Sequence, residues 1–305
     1  VTEDRHPQAV PFLKWAGGKS QLLAQYDAFF PKGRVKTYFE PFVGSGAVFF
    51  HLRGQGLAER YCLYDVNGEL INVYLAVRDD VEALIALLAA HQAAHRQDGE
   101  RHYYAARALD RDPAWPRNAS PVERAARMIY LNKTCYNGLW RVNSKGHFNV
   151  PMGRYKNPAI LDEGRLRAAS LALQGVEIAV QGFEAVVPKA GPGDFVYFDP
   201  PYVPLSATAN FTSYAADDFG PDDQRRLANV YRELDARGCR VMLSNADTPF
   251  VHELYGGFRI EIVQARRAIN SRAGGRGMIN EVVVLNYQPD GQAVNQETRR
   301  RMTDG

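Results

Sequence analysis

A chain of 305 residues with 46% hydrophobic and 11% aromatic residues can bury a sizeable core without disulfides or metals. Its longest apolar runs fall far short of the ~20 residues that cross a bilayer. Residues 1–10 lack the features of a secretory signal, so a cytoplasmic location is expected, and Cys62, Cys135 and Cys239 are too widely spaced for a disulfide framework or a CxxC metal site. A net charge of +3 excludes little by itself, yet residues 124–156 hold seven Lys or Arg and no acid, an asymmetry that suits either a solvated basic face or phosphate neutralisation.

The first motif in chain order is Lys14-Trp15-Ala16-Gly17-Gly18-Lys19-Ser20. A phosphate-cradling loop would carry glycine where Leu13 stands, which disfavours a P-loop ATPase or kinase. Trp15, beside two glycines and Lys19, is a candidate platform for a purine ring. A helix is predicted over 20–30. A strand over 37–40 then runs through Glu40-Pro41-Phe42-Val43-Gly44-Ser45-Gly46 into a helix over 47–53, so that the glycines permit close approach of a cofactor backbone. The third glycine of a dinucleotide fingerprint is replaced by Phe49, which disfavours NAD. The next strand, 61–65, ends on Asp65, placed about 20 residues further on where an acid can accept ribose hydroxyls.

Helices are predicted over 69–78, 81–95 and 122–131, and residues 77–175 read as a separate module. Within it, 136–158 is dense in Gly, Asn, aromatic and basic residues, as suits a loop or β-hairpin. A strand over 177–180 precedes the most informative one, 195–198, which leads directly into Asp199-Pro200-Pro201-Tyr202. Ligands of open α/β sheets bind at strand carboxyl ends. Here an amide-like amine such as N6 of adenine would find two acceptors, the Asp199 carboxylate and the Pro200 carbonyl, preorganised for positive charge developing on nitrogen. The consecutive prolines Pro200 and Pro201 stiffen the turn, and Tyr202 offers a stacking surface. A helix over 222–237, started by Pro221, and strands over 240–244, 259–263 and 281–287 complete an α/β fold on a mostly parallel sheet. A basic, glycine-rich loop over 266–277 and a frayed tail from 288, disordered over 289–305, are expected.

These motifs, in this order, resemble the Dam family of DNA adenine-N6 methyltransferases, in the subgroup where KWAGGK comes first. The resemblance runs from residue 12 to 287 and includes Tyr136-Asn137-Gly138-Leu139-Trp140-Arg141, Phe148-Asn149-Val150-Pro151-Met152-Gly153-Arg154-Tyr155, the segment 204–211 and Ser244-Asn245. It implies a Rossmann-like S-adenosylmethionine-dependent methyltransferase sheet over 1–76 and 176–288, with an inserted helical and hairpin DNA-recognition domain over 77–175. By resemblance Trp15, Lys19, Phe42, Gly44, Gly46, Asp65, Phe183 and Asp199 would contact S-adenosylmethionine, and the target would be adenine in 5′-GATC of double-stranded DNA. Lys14 and Tyr155 would serve the first base pair, Leu139 and Pro151 the third, and Arg141 the guanine opposite the last cytosine. Tyr136 and Asn137 would fill the space of the flipped adenine, and Lys133, Asn143, Asn149 and Arg154 would hold phosphates. No metal is implied, a monomer is expected, and a restriction endonuclease sharing the site is left open as a partner. Two departures stand out: Trp140 where a smaller residue is expected, and the polar stretch 91–120, including Trp115-Pro116.

Overall fold

The computed structural model describes residues 9–204, 219–266 and 278–289. Seven strands are found among these residues: β1 (Val35–Pro41), β2 (Ala58–Asp65), β3 (Glu177–Val180), β4 (Phe195–Phe198), β5 (Arg240–Ala246), β6 (Arg259–Arg266) and β7 (Met278–Leu285). They form one sheet in the order β3-β2-β1-β4-β5-β7-β6, with β7 antiparallel to both of its neighbours and the other pairings parallel.

Successive residues of a strand face opposite sides, so the unbroken apolar runs of the central strands require cover on both faces. On one side Tyr38, Leu63, Phe195, Tyr197 and Met242 join a core with the helices of the first half of the chain. On the other, Phe39, Tyr64, Val196, Phe198 and Leu243 pack with Leu227 and Tyr231. The helices are α1 (Leu23–Tyr26), α2 (Ala47–Gly54), α3 (Gly68–Asp79), α4 (Val81–Gln97), α5 (Gly99–Ala108), α6 (Trp115–Asn118), α7 (Pro121–Thr134), α8 (Glu163–Leu173), α9 (Pro221–Ala236) and α10 (Pro249–Leu254). No helix among the described residues is long and apolar enough to cross a membrane.

The helix expected over 20–30 shrinks to a 3-10 turn (Lys19–Gln21) followed by α1. Pro31 disfavours helical backbone at Phe30, and the chain leaves α1 through turns closed on the Tyr26 carbonyl. α7 begins with a capping box between Ser120 and Glu123 and with Pro121 in its first turn. α5 and α8 were not foreseen, although α8 carries its own start signal, the Asp162 carboxylate accepting from the Arg165 N–H. After α7 the chain forms a hairpin through antiparallel bridges Cys135–Met152 and Val142–Phe148. The segment 205–211, the loop 267–277 and the tail from 290 lie outside the described residues.

Candidate active site

Sheet topology determines where the site falls. β1 and β4 are adjacent and parallel, while their successors β2 and β5 lie on opposite sides, which opens a crevice at their carboxyl ends. Phe39 pairs with Val196, so Phe42 and Asp199, each three residues further on, emerge at the same level. The glycine turn that follows β1 is strained: Phe42 has φ 73°, Gly44 φ 47° and Gly46 φ 67°. A non-glycine residue held in that region is unusual and tends to mark a functional turn. A Cβ on Gly44 would stand 2.9 Å from Trp15 Cδ1, so glycine lets the indole lie directly against the turn.

Around this turn the residues expected to hold the cofactor come together. Asp65 Oδ2 accepts from the Gly44 N–H at 3.3 Å and Oδ1 from the Asn67 N–H at 2.9 Å. Burial raises the Asp65 pKa despite these donors. The Phe42 ring stacks on Phe183 with centroids 5.6 Å apart, and Phe219 meets both rings edge-on. Lys19 behaves differently. Its buried ammonium donates to the Gly17 carbonyl at 2.6 Å, pairs with Asp199 Oδ1 at 2.9 Å and lies 4.6 Å from the Tyr202 ring centre.

Asp199 is held from beneath as well. Ser244 Oγ reaches the same Oδ1 at 2.7 Å and contacts Tyr197 Oη at 2.9 Å. Among the described residues, no hydrogen bond is made to Oδ2 or to the Pro200 carbonyl. The rest of the turn is fixed: the Gln224 amide donates to the Pro201 carbonyl at 2.8 Å, the Val203 N–H to Asn245 Oδ1 at 3.2 Å and Tyr202 Oη to Glu281 Oε2 at 2.7 Å. Burial raises the Glu281 pKa, opposed by the Lys19 charge and the Tyr202 bond. Sequence reasoning quoted Ser244 without a role and missed Glu281. Neither has a local signature, because antiparallel β7 brings Glu281 opposite Ala246 at the end of β5.

Next to the crevice lies the surface assigned to DNA. Buried Asn132 ties its two parts together, accepting from the Lys14 N–H at 2.9 Å and donating to the carbonyls of Lys14 at 2.7 Å and Gly138 at 2.9 Å. Lys14 Nζ thereby sits 4.6 Å from the Tyr155 ring centre, which brings together the two residues expected at the first base pair. Asn137 and Gly138, both at positive φ, present Tyr136 with 52% of its surface exposed. Pro151, whose carbonyl accepts from the Tyr136 N–H at 2.9 Å, is exposed, while Leu139 is half-buried. Trp140 packs on Phe148 at 4.8 Å, filling space beneath the hairpin. Asn143 Oδ1 accepts from the Lys145 and His147 N–H groups, both at 3.0 Å, and so closes the hairpin tip. Arg154 is exposed; Lys133 is half-buried near Arg165 and Lys14, and desolvation lowers its pKa to about 8. The basic stretch is not uniform: Arg124 pairs with Glu69, and buried Arg127 with Asp110.

Residues 15–269 match the family of D12 class N6 adenine-specific DNA methyltransferases. The chain is 45% identical to type II methyltransferase M.MjaIII of Methanocaldococcus jannaschii, covering 91% of this chain and 99% of that protein. It is 44% identical to type II methyltransferase M1.LlaDCHI of Lactococcus lactis subsp. cremoris, over 91% and 95%. To the DNA adenine methylase of Escherichia coli K12 it is 35% identical, again over 91% and 95%. With a methyltransferase sheet, an Asp-Pro-Pro-Tyr turn at its crevice and a match over most of its length, the chain belongs to the D12 class of N6 adenine-specific DNA methyltransferases.

Proposed function

We propose that this enzyme methylates the adenine of 5′-GATC in double-stranded DNA, with the target base flipped into the crevice at Asp199. The observation that carries the mechanism is the one-sided support of Asp199: Lys19 and Ser244 both engage Oδ1, which leaves Oδ2 and the Pro200 carbonyl as the acceptor pair for the two N6 hydrogens. S-adenosylmethionine, when bound, supplies an electrophilic methyl group. Trp15, Phe42, Gly44, Gly46, Asp65 and Phe183 are the residues that would hold it. Accepting both N–H groups localises the nitrogen lone pair and offsets positive charge as the N–C bond forms. Tyr202, fixed by Glu281, supplies the ring on which the base stacks.

Residues 77–175 form the target-recognition portion in this reading. Lys14 and Tyr155 read the first base pair, Leu139 and Pro151 the thymine methyl, and Arg141 guanine O6 and N7, while Lys133, Asn143 and Arg154 fix register on phosphates. The identities of 44 and 45% to type II methyltransferases support a setting in restriction-modification, and the second reading is a modification enzyme of that kind for a different short site. Sequencing methylated adenines in genomic DNA of a host that expresses the protein and lacks its own adenine methylation tests both. N6-methyladenine confined to GATC is expected; methylation of another short motif would establish the second reading, and absence of methyladenine from an expressed, folded protein would overturn both.

A further inference from the structure

Two residues that the resemblance assigns to different partners, a base and a phosphate, are bonded to each other. Arg141 Nε donates to Asn149 Oδ1 at 2.7 Å, and the Asn149 N–H donates to the Arg141 carbonyl at 3.1 Å across the hairpin. The hairpin arm carrying Asn149 is gripped from behind. Phe148 and Val150 are buried, and the peptide groups on either side of Asn149 are bound by α5 and the turn after it. The Phe148 N–H donates to Asp110 Oδ2 at 2.8 Å, and Arg111 Nη2 to the Phe148 carbonyl at 2.6 Å. The Val150 carbonyl accepts from Tyr103 Oη at 2.9 Å and from Arg107 Nη1 at 3.2 Å. Asp110 is itself anchored to α7 by Arg127 at 2.8 Å. These clamping residues lie in the stretch 91–120, the part of the chain that departs from the family pattern.

We infer that Asn149 is a positioning residue that aims Arg141 at its base pair, on a hairpin arm whose backbone is held by residues 103–111. The inference rests on the base-reading role proposed for Arg141. An arginine side chain loses considerable rotamer freedom when it grips a base, and a bond at Nε sets the guanidinium plane before DNA arrives. Buried flanking residues direct the side chain of Asn149 to the outer face, onto Arg141.

The test measures kcat/KM for the wild type, Asn149→Ala, Asn149→Asp, Arg141→Ala and the double alanine variant. Substrates are the cognate duplex and duplexes altered at the last base pair, at two salt concentrations. Arg141→Ala should reduce discrimination at that pair by about 5- to 150-fold, the contribution of one bidentate contact. Asn149→Ala should reduce it at the same pair alone, and the double variant should discriminate no worse than Arg141→Ala. Asn149→Asp keeps an acceptor for Nε but places an anion where a phosphate would sit, so discrimination should survive. Equal loss on cognate and altered duplexes, additive with Arg141→Ala and with a weaker salt dependence, would make Asn149 a phosphate contact and overturn the inference. Should Arg141→Ala itself leave discrimination unchanged, the base-reading role falls first, and the two failures are thereby told apart.

Discussion

In the proposed mechanism the two carboxylate oxygens of Asp199 have different jobs, and the neighbours decide which is which. Lys19 supplies charge balance, and the hydroxyl of Ser244 fixes the rotation of the carboxylate, itself contacted by Tyr197. Removing the carboxylate removes an acceptor made for the transition state, so Asp199→Ala should lower kcat by at least about 10²-fold, as loss of one preorganised group commonly does, with duplex binding close to wild type and thermal stability lowered because the buried Lys19 ammonium loses its partner. Ser244→Ala leaves the acceptor in place but loose. A hydrogen bond to a charged group is worth about 1.5–3 kcal/mol, so kcat should fall about 10- to 150-fold with KM for DNA nearly unchanged, and Ser244→Thr should restore most of it. Steady-state kinetics on a short duplex checks both: a loss confined to KM would mean that the hydroxyl serves binding rather than the reacting geometry.

The glycine turn after β1 was legible in the sequence from its strand, closely spaced glycines and helix with Asp65 beyond, though less sharply than Asp-Pro-Pro-Tyr. Its strain was not legible. Phe42, at positive φ, packs its ring against Phe183 and Phe219, neighbours far away in the chain. The same limit applies elsewhere. The Asp-Pro-Pro-Tyr turn could be read locally, but its supports Ser244 and Glu281 come from β5 and β7, and the link between Lys14 and the hairpin depends on Asn132 in α7. α5 and α8 escaped notice because their apolar positions lie in a segment rich in charged residues, where periodicity is weak. For the turn itself, Gly44→Ala meets two obstacles, a left-handed backbone and an indole carbon at 2.9 Å. The first alone costs about 1–2 kcal/mol. Cofactor affinity should therefore fall at least about fivefold by calorimetric titration with S-adenosylmethionine, with duplex affinity retained; an unchanged cofactor Kd would separate this turn from the cofactor.

For the molecule as a whole, one titrating group lies outside the residues assigned to the reaction under the proposed mechanism. Glu40, near the carboxyl end of β1, is 3% exposed and accepts from Tyr38 Oη at 2.7 Å. Burial pushes its pKa to about 8; the Tyr38 bond opposes the shift, and the negative charge of Asp199 adds to it. The unfolded chain releases this proton near the ordinary glutamate value of about 4.3. Between that value and about 8 the folded state therefore binds one proton more than the unfolded state, and stability falls as pH rises, by about 1.4 kcal/mol per pH unit for this group alone. Below the lower value its contribution is fully present, and above about 8 it is lost. Glu40→Gln keeps an acceptor for Tyr38 and has no proton to lose. Urea denaturation at pH 5.0, 6.5 and 8.0 should then show a wild-type midpoint that declines across the series and a Glu40→Gln midpoint that declines less, with the variant the more stable at pH 8.0. Methylation at neutral pH should be nearly unchanged, because wild-type Glu40 is already protonated there. Parallel midpoint profiles for the two proteins would mean that Glu40 does not titrate in this window, and that the pH dependence has to be traced to the other carboxyls whose pKa is raised, Asp65 and Glu281.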